Sequence, residues 1–351
     1  MDDLSIFEDK NYTFPSLSVN KTFTYDPFTI QVSSTSISAS SWSVMEAEGG
    51  ETIGSKDDKK IVEIASLTKI MTSYLALRLA EIYDINIHNT YITISNKASK
   101  TGGTSSYLGA GYKFLIIDLL HGLLLPSGND SAIAIAEFFG SYIQHLSDKK
   151  LKIDEKDRFL FKTSTSFFKK SENKDPISVF VSQMNKMARG LGMFNTTYTN
   201  PHGLADKGNR SSACDIARLT FHANKNHIIN SIVKKQYYLC CAIDHLEHHI
   251  PYKWSNTNLL LQKGFDGFKT GTTPTAGPCF VATCKVLDNI SLIIVLLHSK
   301  SPEYRWKDAI LLKKWAINKL LPLVISNNEK GIKPRNIKSF SKQINKLKFQ
   351  L

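Results

Sequence analysis

No apolar run in this chain is long enough to cross a bilayer; the longest, "LIIVLL" at 292–297, has the length of a strand. The first residues, "MDDLSIFEDKNYTFPS", are acidic and lack the apolar segment of a secretory signal, so nothing in the sequence itself directs export or insertion. Cysteine is sparse. Cys214, Cys240, Cys241, Cys279 and Cys284 cannot all pair within one chain and show no C-x-x-C spacing, so buried free thiols are expected. Zinc-ligand spacing, an RNA-binding aromatic signature and a basic region followed by heptads are missing as well. No metal, cofactor or nucleic-acid partner is therefore expected. Acidic residues are the scarcer charge: 31 Asp+Glu stand against 44 Lys+Arg, a formal net charge of +13. Such an excess suits nucleic acid, an anionic membrane surface or anionic substrates, and the first of these lacks a supporting motif.

What is present is a globular composition, 42% hydrophobic and 21% charged, over a length that can bury a sizeable core. Residues 1–28 read as an irregular segment. "IQVSSTSISASSWSVMEAEGG" reads as one or two strands ending at a Gly-Gly turn, and "GSKDDKK" as a charged loop tip. A deeply buried helix is expected from Ser66. Another should stop before Pro126, and a third should begin near Ser131 after the short loop "PSGND". Residues 147–175, rich in Lys, Asp and Ser, look like a surface insertion. Two further helices, "ISVFVSQMNKMARGLGM" and "DIARLTFHANKN", precede a strand-rich region from Phe265 to Ser299. "RWKDAILLKKWAINKLLPLVI" closes the domain as an amphipathic helix. Strand first, helices in the middle, strands and a helix last imply an α+β fold. Its antiparallel sheet is built from both chain ends, with flanking helices and a mainly helical subdomain. The expected organisation is an irregular segment 1–28, a catalytic domain 29–325 and a basic tail 326–351.

In "EIASLTKIMTSYLAL" Ser66 and Lys69 stand three residues apart, which puts them on one face of a helix. A neutral Lys69 amine can take the serine proton there, but a serine N-cap followed by an ordinary lysine explains the same letters. Ser-x-x-Lys also occurs at Ser147, Ser166, Ser171, Ser231 and Ser339, so the spacing alone decides nothing. Two further motifs follow in order: Ser127-Gly128-Asn129 in the loop between two helices, and Lys269-Thr270-Gly271 at a turn-to-strand junction. A helix N-terminus offers N–H groups to an oxyanion. A strand edge with glycine lets an extended substrate add as another strand. A second Lys-Thr-Gly, Lys100–Gly102, has no strand behind it and reads as loop.

With these motifs in place the chain resembles the serine D-alanyl-D-alanine carboxypeptidases among the low-molecular-mass penicillin-binding proteins. "ASLTKIMTSYLAL", "LLHGLLLPSGNDSAIAIAE", "MNKMARGLGMFNTTYTNPHGLADKGNRSSACDIARL" and "WSNTNLLLQKGFDGFKTGTTPTAGPCFVATC" each look like that family's blocks, in its order, over residues 35–322. The resemblance implies a β-lactamase/transpeptidase-like fold and a penicillin-sensitive peptidase. Ser66 would form the acyl-enzyme and Lys69 would be its base. Ser127 would relay a proton to the leaving D-alanine, and Asn129 would hold Lys69 and the substrate amide. Lys269, Thr270, Gly271 and Thr272 would bind substrate, with the N–H groups of Ser66 and Thr272 as oxyanion hole. Arg305 would take the terminal carboxylate. His202 in "PHGL" is read as structural. The implied partners are a peptide ending in D-Ala-D-Ala and β-lactams as covalent inhibitors, with action at the cell wall or membrane surface outside the cytoplasm.

In the tail, Ile337, Phe340, Ile344, Leu347 and Leu351 recur at spacings of three and four among lysines, a basic amphipathic pattern suited to an anionic membrane. Two other readings use the same fold. A β-lactamase-like hydrolase needs a deacylating glutamate, and Glu172 in the Lys-rich segment has no matching context. A non-catalytic binding protein would leave the motif residues idle.

Overall fold

Both ends of the domain meet in one sheet. A computed structural model describes residues 36–148, 175–287 and 290–329, all within a unit spanning Val32–Leu351. The expected irregular segment 1–28, most of the expected insertion (with Glu172) and residues 330–351 of the expected tail lie outside the described residues. Strands β1 (Ser41–Glu46) and β2 (Thr52–Lys56) come from the first part of the domain, and β9 (Phe268–Thr273), β10 (Gly277–Leu287) and β11 (Ile290–Leu297) from the last. Their order is β2-β1-β11-β10-β9, antiparallel at each pairing, so β9 has a free edge among the described residues.

The whole of β1 is buried, as are the last six residues of β11, because helices cover both faces. Helix α8 (Pro302–Glu329) lies on one face, where Trp315 packs edge-on against Trp42 and Trp306 against Phe280. On the other face Met45, Ile293, Val295 and Leu297 join the core of the helical half. The charged loop expected at "GSKDDKK" is shorter than its letters suggest. Gly54–Lys56 belong to β2, where a Cβ on Gly54 would fall 2.3 Å from the Trp315 ring. Helix α8 runs four residues into the segment read as tail.

The helical half is built around α1 (Thr68–Ile82), which buries twelve of its fifteen residues. Such a helix has no solvent face, so a lysine in its first turn is buried with it. Around it pack α3 (Ile116–Leu124), α4 (Asn129–Asp148), α5 (Pro176–Gly190) and α6 (Ala213–Asn224), preceded by the short α2 (Asn96–Ser99) and followed by α7 (His227–Val233). Helix α3 ends before Pro126 as expected, and α4 begins two residues earlier than expected, at Asn129. Asp215 lies in the first turn of α6 and accepts from Asn195 N and the Thr196 hydroxyl.

A second sheet, β4 (Tyr91–Thr93), β5 (Lys113–Leu115), β7 (Tyr237–Ile243) and β8 (His249–Ser255), has no counterpart in the sequence expectations. Its long hairpin alternates between exposed and half-buried positions, a weaker signal than the continuous apolar runs of the main sheet. Two-residue strands β3 (Val62–Glu63) and β6 (Arg210–Ser211) pair beside the start of α1. All five cysteines are free. Cys279 and Cys284 are buried, whereas Cys214 and Cys240 are half-buried and Cys241 is exposed, so the buried-thiol expectation fails for these last three.

The first described segment is tied to α8 by one carboxylate. Asp308, buried in the first turns of α8, accepts from Ser38 N (2.9 Å), Ser38 Oγ (2.6 Å) and Ala39 N (3.0 Å). Asp308→Ala leaves these donors without their acceptor and is expected to cost about 2–3 kcal/mol, since orphaned buried donors lose their full desolvation energy. Urea denaturation of the two proteins, with an unchanged m-value, is the check.

Candidate active site

Ser66 does not cap the helix. It sits in a 3-10 turn, Ala65–Leu67, that leads into α1 at Thr68, and no side chain caps either element. Ala65 adopts a left-handed φ of 48°, and Gly203 (φ +85°) packs so close that a Cβ there would lie 2.0 Å from Ala65 O. The Ser66 hydroxyl is instead 3.0 Å from Lys69 Nζ.

Lys69 is fully buried, and its amine has two other neighbours: Asn129 Oδ1 at 2.7 Å and the carbonyl of His202 at 2.7 Å. The orientation of the Asn129 amide follows from its other end, because Nδ2 donates to Gly102 O at 2.7 Å and a carbonyl can only accept. A neutral amine carries two N–H bonds and one lone pair. With both N–H bonds given to Asn129 and His202, the lone pair is left for Ser66. Burial first, and the charge of Lys269 second, hold the Lys69 amine well below the ordinary lysine value, against an opposing influence from Asp130. The same pocket holds His202 neutral: burial, then Lys69, lowers its imidazole to about 4, and its Nδ1 accepts from Leu204 N.

Ser127 lies just before α4 with a left-handed φ of 68°. Thr104 Oγ1 donates to its carbonyl at 2.6 Å, and Asn129 N donates back to Thr104 O at 2.8 Å. Its hydroxyl is buried without a hydrogen-bond partner among the described residues. The second Lys-Thr-Gly, read as loop, is a loop, yet it is at the site: Gly102 supplies the acceptor for Asn129, and a Cβ on Gly103 would collide with that amide at 2.6 Å. Asp130 pins the following residues by accepting from Ser105 Oγ, Ser106 N and Leu108 N. Neither the Gly102 carbonyl nor Asp130 was marked as a site residue from sequence. Their one signal was adjacency to the motifs.

The third motif lies on the free edge of β9. Gly271 leaves room for the Ser66 turn, since a Cβ there would stand 2.9 Å from Ser66 N and 3.1 Å from Ile64 O. Lys269 is buried and donates to Thr270 O at 3.1 Å; burial, then the Arg305 guanidinium, brings it down to about 7. Arg305, expected just before the terminal helix, lies inside its first turn. Its Nη1 reaches Thr272 Oγ1 (3.0 Å) and Gly271 O (3.4 Å). It makes no bond to Thr270, whose hydroxyl pairs with Thr257 at 2.7 Å. Thr257 also escaped notice as a site residue.

A serine facing a dehydrated amine, beside a glycine-lined strand edge rich in positive charge, can form and break acyl bonds to an extended, anionic substrate. The sheet order and helical half define the architecture of serine DD-peptidases. The Streptomyces K15 DD-transpeptidase superposes with a TM-score of 0.66 at 26% identity, over 80% of this chain and 98% of that one. D-alanyl-D-alanine carboxypeptidase DacD from Francisella tularensis gives 0.64 at 25% identity, over 83% of this chain and 73% of that one. In sequence the chain is 29% identical to D-alanyl-D-alanine carboxypeptidase DacF of Bacillus subtilis over 75% of its length, and 27% identical to DacC of Escherichia coli over 81%. It spans 58% and 62% of those two relatives. The D-alanyl-D-alanine carboxypeptidase family model matches residues 28–157 and 177–301, and the chain belongs to that family.

The site geometry predicts a coupled titration. The Lys269 ammonium is present below about 7 and is lost as pH rises through that value. A neighbouring cation depresses it, so Arg305→Ala must move the Lys269 titration to higher pH. NMR titration of ε-13C-labelled lysine, with Lys269→Gln to assign the resonance, measures the direction.

Proposed function

We propose that the chain is a serine D-Ala-D-Ala carboxypeptidase that removes the terminal D-alanine from peptidoglycan-type peptides through an acyl-enzyme on Ser66. The observation that carries this reading is the buried Lys69 amine 3.0 Å from the Ser66 hydroxyl, with two carbonyl acceptors beside it that use both N–H bonds of its neutral form and leave the lone pair for Ser66. In this reading Lys69 takes the Ser66 proton as Oγ attacks the carbonyl carbon of the penultimate D-alanine. The oxyanion is received by the N–H groups of Ser66 and Thr272, on either side of the gap that Gly271 keeps open. As the C–N bond breaks, the proton on Lys69 passes through the Ser127 hydroxyl to the leaving amine. Water then cleaves the acyl ester and Ser66 recovers its proton. Asn129 holds Lys69 and the substrate amide. Lys269 contributes positive potential, and Thr270 and Arg305 receive the free carboxylate.

Antiparallel addition to β9 orients the substrate. A strand paired to Phe268–Thr273 in that sense places its C-terminus near Lys269 and Thr270, beside the cations. A β-lactam, a cyclic acyl donor that bears a carboxylate, fits the same reading as a covalent inhibitor. The basic tail 326–351 belongs to it as a contact for an anionic membrane surface, supported by the three-and-four spacing of its apolar residues.

Intact-protein mass after penicillin exposure, together with D-alanine release from a D-Ala-D-Ala peptide, tests the assignment. Ser66→Ala is expected to abolish both, and Lys69→Ala to slow acylation by about three orders of magnitude or more, as when a base acting with its nucleophile is removed. Arg305→Ala should reduce peptide turnover far more than penicillin labelling, because a charge-assisted pair lost from a site costs about 2–5 kcal/mol. Normal labelling of the Ser66→Ala protein overturns the reading. For the tail, deletion of residues 335–351 is expected to reduce flotation with anionic liposomes, and equal flotation removes the membrane contact.

A further inference from the structure

The second hydroxyl at the third motif has no role in the account above. Thr257 lies in an exposed loop position after β8, yet its Oγ1 is 2.7 Å from the buried Thr270 Oγ1. The loop around it is held firmly. Asn256 donates from its backbone to Gln236 O (2.7 Å) and from its side chain to Val233 O (3.1 Å) and Lys235 O (2.9 Å). Its Oδ1 accepts from Asn258 N, and Asn258 Oδ1 accepts from Leu260 N. Thr257 N donates to Leu125 O, two residues before Ser127. Thr257 is thus carried beside Thr270 by a fixed backbone, with only rotation about its χ1 left to the side chain. It therefore ties the third motif to the second.

Two hydroxyls carry two protons, and the bond between them uses one. If Thr257 is the donor, the Thr270 proton is free to point into the site; if Thr270 is the donor, only its lone pairs face a ligand there. A carboxylate can only accept, so it requires the first arrangement. Arg305 does not settle the choice, because it bonds Gly271 O and Thr272 Oγ1 rather than Thr270.

We propose that Thr257 is a positioning residue that donates to Thr270 Oγ1, turning the Thr270 proton toward the substrate's terminal carboxylate and so setting the preference for a free C-terminus over a capped one. The proposal rests on the carboxypeptidase reading and adds to it a residue that selects the substrate. No covalent step involves Thr257. Thr257→Val keeps the shape of the side chain and removes the donor; Thr257→Ser restores it.

The test measures kcat and KM for a peptide ending in D-Ala-D-Ala and for the same peptide with a C-terminal amide, in wild type and both variants, with penicillin labelling alongside. Thr257→Val is expected to raise KM for the free-acid peptide about tenfold, to change kcat/KM for the amide by less than twofold, and so to erode the acid-over-amide preference. Thr257→Ser is expected to recover that preference. An unchanged preference in a Thr257→Val protein that penicillin still labels overturns the proposal alone, as does an equal loss on both peptides. If the wild type neither releases D-alanine nor takes the label, the carboxypeptidase reading fails and this proposal fails with it.

Discussion

The site depends on a buried lysine whose surroundings disfavour its ammonium form. An ammonium has three N–H bonds and needs the hydration or counter-charge that this interior withholds. Helix α1 takes Lys69 out of water because its first ten residues are all buried, and Lys269 adds repulsion. The amine then has two carbonyl acceptors and one serine hydroxyl around it, so that in the neutral form favoured by burial its two N–H bonds are used and its lone pair is left for Ser66. Asp130 works the other way, which keeps the amine from being indifferent to protons altogether. A base that must take a proton and return it is best placed between such opposing influences.

Around that amine, four parts of the chain converge. The 3-10 turn before α1 brings Ser66, the loop before α4 brings Ser127 and Asn129, and the "PHGL" turn brings the His202 carbonyl. The free edge of β9 closes the site against Ser66 N. Each part is held by backbone bonds or by partners outside the proposed chemistry: Thr104 for Ser127, Gly102 for Asn129, Thr72 for Pro201 O beside His202. The left-handed conformations at Ala65 and Ser127 show where this convergence asks for backbone that L-residues rarely adopt.

Much of this was legible in the letters. The main sheet was readable because β11 is a nearly continuous apolar run and the other strands are β-branched or aromatic stretches bounded by Gly and Pro turns, and the three motifs because each falls on the element its chemistry needs. What escaped had no periodic or motif signal. The β7–β8 hairpin buries only part of its surface and alternates weakly. The Lys100–Gly102 loop reads as a decoy, since a carbonyl acceptor such as Gly102 O leaves no trace in residue type. Asp130 and Thr257 act through side-chain bonds between segments separated in sequence, several bonds across 22 to 25 residues for Asp130 and one across 13 for Thr257. The burial of Cys279 is set by a sheet covered on both faces and the exposure of Cys241 by the strand face it occupies, neither of which the cysteine count contains.

A sheet whose central strands come from opposite ends of the domain also orders events in time. During synthesis Ser66 and Lys69 leave the ribosome more than two hundred residues before β11 can pair with β1, and Asp308 follows later still. Until then β1 has no neighbour on its β11 side, and the amine of Lys69 lacks the nearby charge of Lys269. The nascent helical half thus carries every letter of its first two motifs before the charge of Lys269 can be brought beside Lys69.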